Sequence, residues 1–238
     1  MQLSKRLQAV ADLVTPGSRV ADVGCDHAYI PIYLAENKIS PHIIALDINQ
    51  GPIDRAKDNI IKYGCQDRIE TKKSDGLEKL NAGEADTILV AGMGGALTIR
   101  ILTDKSWVLQ TVRELVLQPQ SEIHKVREML HQHDYLITGE NMVKEDGKYY
   151  VMMKAVPQDF MKDVRAYMLL EKEHFYYGRL LLEQRHPVLQ EFLLWDLSIC
   201  QNIMETLERE RTDNARVRRE ELRERIGLIH SGLGYYNR

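Results

Sequence analysis

The stretch Arg19-Val-Ala-Asp-Val-Gly-Cys-Asp-His-Ala-Tyr-Ile-Pro31 constrains this chain more than any other. Val20, Ala21 and Val23 are small or β-branched, which suits a strand covered on both faces. Gly24 removes Cβ where the backbone must turn sharply or let a ligand come close, and Asp22 and Asp26 flank it. The next apolar run, His42-Ile-Ile-Ala-Leu-Asp47, ends in another acid, 23 positions after Gly24. A glycine turn after one strand and an acid at the tip of the next is how α/β folds hold a nucleoside. Backbone faces the ligand, and the acid takes the ribose hydroxyls. Asp47 is therefore expected on a ribose, against the plainer alternative of a helix cap or turn acid.

The rest of the first 156 residues alternates in the same way. Leu3, Leu7, Val10 and Val14 recur at helical spacing before Pro16-Gly17, which predicts a helix over 3–14. Further strands are expected at 68–73, 85–91 and 114–118, with helices near 28–37, at 51–63, after Gly95 and at 120–132. Tyr135 to Val143 and Lys148 to Val156 then read as a hairpin joined by Lys144-Glu145-Asp146-Gly147. Five β/α units closed by a hairpin are not the plain dinucleotide-binding order. They resemble the class I S-adenosylmethionine (SAM) methyltransferase fold, a Rossmann-like α/β sheet that is parallel apart from one antiparallel strand.

The ligand chemistry agrees with that resemblance. The turn Gly24-Cys-Asp-His-Ala28 lacks the further glycines that let a pyrophosphate rest on a helix N-terminus, and Asp26 would repel a diphosphate. No Gly-x-x-x-x-Gly-Lys loop is present, which removes an ATP site of that kind. SAM carries a sulfonium and an ammonium, for which a carboxylate is a favourable neighbour. In this fold Asp75-Gly76, at the end of the third strand, is where the adenine amino group is commonly bound; alone it is any turn.

The string Asp22-Val-Gly-Cys-Asp-His-Ala-Tyr-Ile-Pro31, the loop Ala91-Gly-Met-Gly-Gly95, Leu117-Gln-Pro119 and the opening Leu3-Ser-Lys-Arg-Leu7 resemble the bacterial tRNA (adenine-22-N1) methyltransferase family over essentially the whole chain. Two positions depart from its pattern: Cys25 stands for a small hydroxyl residue, and Gln120 for an expected Asn. The resemblance implies methyl transfer from SAM to N1 of an adenine in the D-arm of tRNA. It implies a cofactor site of Gly24, His27, Asp47, Ile48, Asp75, Gly76 and Ala91. The substrate side would hold Arg6, Tyr29, Met93, Gly94, Gln118 and Pro119. Neutral adenine N1 has an in-plane lone pair and attacks the methyl directly, so the site must chiefly hold two atoms close and in line. Asp26 is the candidate catalytic residue, beside the base as positive charge develops there; its alternative is a cap for the helix at 28. The glycines of the 92–95 loop are expected to let the base approach backbone.

Past Pro157 strand signals stop. Leucines at helical spacing on both sides of Pro187 predict two long helices in an antiparallel coiled-coil hairpin, giving domains of 1–156 and 157–238. Net charge is −3, so a nucleic-acid partner requires a local patch. Arg209, Arg211, Arg216, Arg218, Arg219, Arg223 and Arg225 supply one candidate on a helix side opposite Glu210, Asp213, Glu220, Glu221 and Glu224. An exposed face laced with ion pairs is the equal alternative. The three scattered cysteines, Cys25, Cys65 and Cys200, indicate reduced thiols and no metal site. No apolar run reaches membrane-span length, so a cytoplasmic protein is expected, with a monomer favoured. A methyltransferase acting on another RNA or a small molecule, or a non-catalytic RNA-binding protein of this fold, fits many of the same residues.

Overall fold

The computed structural model describes residues 1–104, 106–209 and 211–237. Seven strands form one sheet: β1 (Val20–Val23), β2 (Ile43–Asp47), β3 (Ile69–Lys73), β4 (Thr87–Met93), β5 (Glu114–Pro119), β6 (Tyr135–Glu145) and β7 (Lys148–Pro157). Their order is β3-β2-β1-β4-β5-β7-β6. β1 to β5 pair in parallel, and β7 runs antiparallel to both β5 and β6. Every residue of β1, β2 and β5 is buried, which is why these strands read as unbroken apolar runs. The hairpin turns at Asp146-Gly147, both with left-handed φ.

The helices of this part are α1 (Lys5–Ala11), α2 (Tyr29–Glu36), α3 (Gln50–Lys62), α4 (Gly95–Asp104), α5 (Ser106–Leu109) and α6 (Ile123–Gln132). β1 pairs with β2 on one side and β4 on the other, so chain direction across the sheet reverses beside it. Connections leave the two strands in opposite senses there and open a crevice at their carboxyl ends. α1 is fastened over the sheet just beyond its end. Glu114 accepts hydrogen bonds from the Thr15 amide (2.9 Å) and hydroxyl (2.5 Å) and pairs with Lys154 at 2.7 Å. This fixes the helix that carries Arg6.

Two compact units make up the chain, residues 1–168 and 169–238. The segment 157–168, assigned to the helical part on sequence grounds, thus groups with the first. The second unit contains α7 (Lys172–Tyr177), α8 (Arg179–Glu183), α9 (Pro187–Glu208) and α10 (Asp213–Leu233). Pro187 does not separate the two long helices as expected; it opens one, at a position where its missing N–H costs nothing. The segment before it is cut into short helices by Gly178 (φ 89°) and Arg185 (φ 52°). α9 and α10 pair antiparallel: Arg219 Nη1 donates to Leu207 O (2.6 Å), and Arg225 grips buried Asp196 (2.6 and 3.1 Å).

These contacts correct the arginine stripe. Arg209 and Arg211 precede α10, while Arg219 and Arg225 are turned toward α9. Arg216 and Arg218 pair with acids along their own helix. Glu210 lies outside the described residues. No helix among the described residues is long and apolar enough to cross a membrane.

Candidate active site

The loop after β1 is built by backbone geometry. Gly24 turns at φ 82°, and the amides of Gly24 and Cys25 both donate to Leu46 O (2.8 and 3.1 Å). His27 and Ala28 follow at φ 63° and 54°. Two successive non-glycine residues in the left-handed region cost about 1–2 kcal/mol each. The loop is held by Ala28 N donating to Cys25 O (2.5 Å) and by Asn59 of α3 donating to His27 O (2.9 Å). His27 and Tyr29 project from it as a parallel stack, centroids 5.2 Å apart and planes within 5°.

Asp26 does not cap α2. The N-cap is Ala28, and no side chain closes that helix start. Asp26 Oδ1 instead accepts two hydrogen bonds from Arg55 of α3, Nη2 at 2.7 Å and Nε at 3.1 Å. His27 Nε2 stands 3.7 Å from the same oxygen.

A cleft of about 380 Å³ opens beside this loop, lined by Arg6, Asp22, Gly24, Cys25, Asp26, His27, Tyr29, Ala91, Gly92 and Gln120 among others. It brings together six residues singled out from sequence: Arg6, Gly24, Asp26, His27, Tyr29 and Ala91. Arg6 donates to Gln118 Oε1 (2.9 Å) and lies 5.5 Å over the Tyr150 ring. Gln118 and Pro119 are themselves buried, so they bear on the cleft through Arg6. Asp47, Ile48, Asp75 and Gly76 are not in this lining but at and just beyond the tips of β2 and β3. Ser74 N donates to Asp47 O (2.8 Å), Asp47 Oδ1 accepts from Asn49 N (2.9 Å), and Asp75 pairs with Arg100 (3.1 Å). Ile48 is half exposed. A larger hollow, about 620 Å³, is lined by Leu102, Leu115, Met129 and Tyr135 at the opposite, amino end of β5 and β6. It contains none of the singled-out residues.

In the glycine loop after β4 two positions are packed closely by protein. A Cβ on Gly95 would lie 2.5 Å from Ser121 O and 3.0 Å from Glu122 Cβ, and one on Gly94 would lie 3.2 Å from Ser121 Oγ. These two glycines make room for the β5–α6 connection. Gly95→Ala is expected to cost about 1–3 kcal/mol, the scale of overpacking. That lowers the melting midpoint by roughly 5 °C, and activity falls with it because Gln120 lines the cleft from that same connection. An unchanged midpoint in a thermal melt contradicts this packing role. Met93 reaches back from the loop, its Cε filling the space a Cβ on Gly24 would need.

Asp22 is buried at the end of β1, and loss of water, then the charge of Asp47, pushes its carboxyl up to about 7. Burial, then Asp22 and Asp47, also drives the neighbouring Cys25 thiol strongly upward, so it stays protonated and is no nucleophile. A buried acid short of cationic company, with two further carboxylates near the same turn, fits a ligand carrying an ammonium, a sulfonium and ribose hydroxyls. Among the described residues no cluster suited to a metal ion is found. Sequence reasoning missed Arg55 and Asn59, although their i,i+4 spacing on α3 marks one face. It also gave no role to Asp22, and Gln120 registered only as a departure.

A family described as "Methyltransferase domain" matches residues 3–153. The tRNA (adenine(22)-N(1))-methyltransferase of Bacillus subtilis (strain 168) is 34% identical over 230 residues, 96% of this chain and 96% of its own. The crystal structure of the B. subtilis m1A22 tRNA methyltransferase TrmK superposes with a TM-score of 0.85 at 33% identity, covering 98% of this chain and 99% of that one. Streptococcus pneumoniae Sp1610, solved in complex with S-adenosyl-L-methionine, gives a TM-score of 0.85 at 28% identity over 98% and 100%.

Proposed function

The chain belongs to the tRNA (adenine(22)-N(1))-methyltransferase family, and from that premise we propose how its cleft is used. The protein is a SAM-dependent enzyme that methylates N1 of an adenine in tRNA. The observation that carries this is a likeness running the whole length of the chain, joined to an acid-lined cleft at the carboxyl ends of β1 and β4. We place the enzyme in the cytoplasm, as a monomer, with the D-arm adenine at position 22 as its target.

Bound SAM supplies an electrophilic methyl group on a sulfonium. The chain's part is to hold and orient. Gly24 and His27 present the first turn, Asp47 takes the ribose hydroxyls beside Ile48, and Asp75-Gly76 and Ala91 border the adenine. Asp22 faces the ammonium. On the substrate side, N1 of a paired adenine is covered by its partner, so the base must leave the stack. Tyr29, stacked with His27, offers it an aromatic face, Met93 and Gly94 bound the opening, and Arg6, held by Gln118 next to Pro119, offers a cation to its phosphate. Asp26 stands beside the ring to stabilise the charge it gains. The direct test is nucleoside mass spectrometry of tRNA incubated with protein and SAM, which should show N1-methyladenosine. Methyl appearing only in another RNA or a small molecule would overturn the assignment.

The Asp22 reading predicts a pH dependence. A neighbouring cation favours the ionised carboxylate, so the complex holds Asp22 charged while the free protein protonates it below about 7. SAM affinity therefore falls with acidity, by about tenfold between pH 7 and 5.5. Asp22→Asn should flatten that profile in calorimetry; a flat profile in the parent protein removes Asp22 from the ammonium.

A further inference from the structure

Arg55 and Asp26 are both about half exposed. A pair this wet contributes little to stability, so its geometry matters more than its strength. Both hydrogen bonds from the guanidinium fall on Oδ1 of Asp26, and His27 approaches the same atom. Oδ2 makes no hydrogen bond within the chain among the described residues. A carboxylate on a two-bond side chain ordinarily turns freely; here one edge of a planar fork engages one oxygen and leaves the other unengaged. Arg55 sits on α3, which also pins the loop through Asn59 and His27 O, so a single helix sets both the backbone and the carboxylate of this turn.

We propose that Arg55 is a positioning residue for methyl transfer: it engages Oδ1 of Asp26 and thereby aims Oδ2 at the target adenine. This rests on Asp26 acting beside the base. Arg55 works through Asp26 and touches neither cofactor nor base. Its own positive charge opposes the charge developing on adenine, so only its orienting effect can make it beneficial. The two influences have opposite signs, and the rate therefore discriminates between them.

The experiment is single-turnover methylation of tRNA by the full chain, with SAM affinity and the tRNA KM measured in parallel. Arg55→Met should slow the chemical step about 5- to 20-fold while SAM affinity, tRNA KM and melting midpoint stay within about twofold or 2 °C of the parent. Arg55→Lys, which restores a point charge but not the fork, should recover only part of the rate. Asp26→Asn should lose about 10- to 100-fold, and adding Arg55→Met to it should cost nothing more, because the two groups act as one unit. Multiplicative losses in the double variant overturn the proposal, as does an Arg55→Met enzyme that is unchanged or faster. A raised tRNA KM with normal turnover also overturns it and assigns Arg55 to a phosphate. A slow Asp26→Asn beside a normal Arg55→Met removes Arg55 alone, whereas a normal Asp26→Asn removes the role of Asp26 and the proposal with it.

Discussion

Asp47→Ala is expected to weaken SAM binding about 100-fold. Two hydrogen bonds from ribose hydroxyls to a charged acceptor are worth roughly 1.5–3 kcal/mol each. Part of that is offset, because Asp47 is nearly buried and its charge opposes that of Asp22. A net loss of about 3 kcal/mol remains, or two decades in affinity. The same substitution carries a second signature. With Asp47 gone, the Asp22 carboxyl loses one of the two causes that raise it, so the pH at which SAM binding weakens should move down. Calorimetry on the folded variant reads both effects. A dissociation constant within threefold of the parent rules out the ribose role, and an unmoved pH profile rules out the coupling.

The second large effect concerns the helical unit. A chain ending at Met168 is expected to bind SAM within a few-fold of the parent and to lose about 100-fold or more in kcat/KM on tRNA. Every residue lining the cleft precedes Ser121, so cofactor binding should survive the cut. The Bacillus subtilis relative matches this chain through the helical unit, and we propose that the unit serves docking on phosphates. Such contacts supply most of the sequence-independent affinity for nucleic acid, and losing a few is worth decades at moderate salt. The cations offered are those left outward after α9 and α10 pair, Arg211 and Arg223 among them. Initial rates of methyl incorporation decide it, with SAM calorimetry showing that the shortened chain is intact. Undiminished activity would exclude the unit from docking.

How far the sequence could be read depended on the range of the interactions involved. The central strands were plain because double-sided burial leaves an uninterrupted apolar run, and the hairpin because Asp146-Gly147 supplies the left-handed turn. Gly24 was legible for the same local reason. Gly94 and Gly95 were not: a glycine signals close approach without saying of what, and the answer was the 120–122 connection. The leucines around Pro187 gave helix but not partner, since amphipathic spacing fixes which side is buried and leaves the neighbour open. Arg219 and Arg225 looked like exposed charge until α9 supplied a carbonyl of its last turn and a buried acid. Asp26 reads equally as a helix cap in the sequence, and the partner that holds it instead, Arg55, stands 29 positions away.

The thioether of Met93, lying across Gly24, bears on how fast the cleft is filled and emptied. A ligand that reached Gly24 from that side would first have to move the methyl group. An unbranched side chain with three rotatable bonds swings aside without any backbone shift, and such rotations take picoseconds to nanoseconds. A cover of this kind over the glycine turn would open far more often than a ligand arrives. It keeps the glycine turn covered while free, yet adds no delay to capture. With the cofactor held at Gly24 as proposed, exchange of spent cofactor for fresh would be governed by the contacts that grip it and not by the barrier to opening.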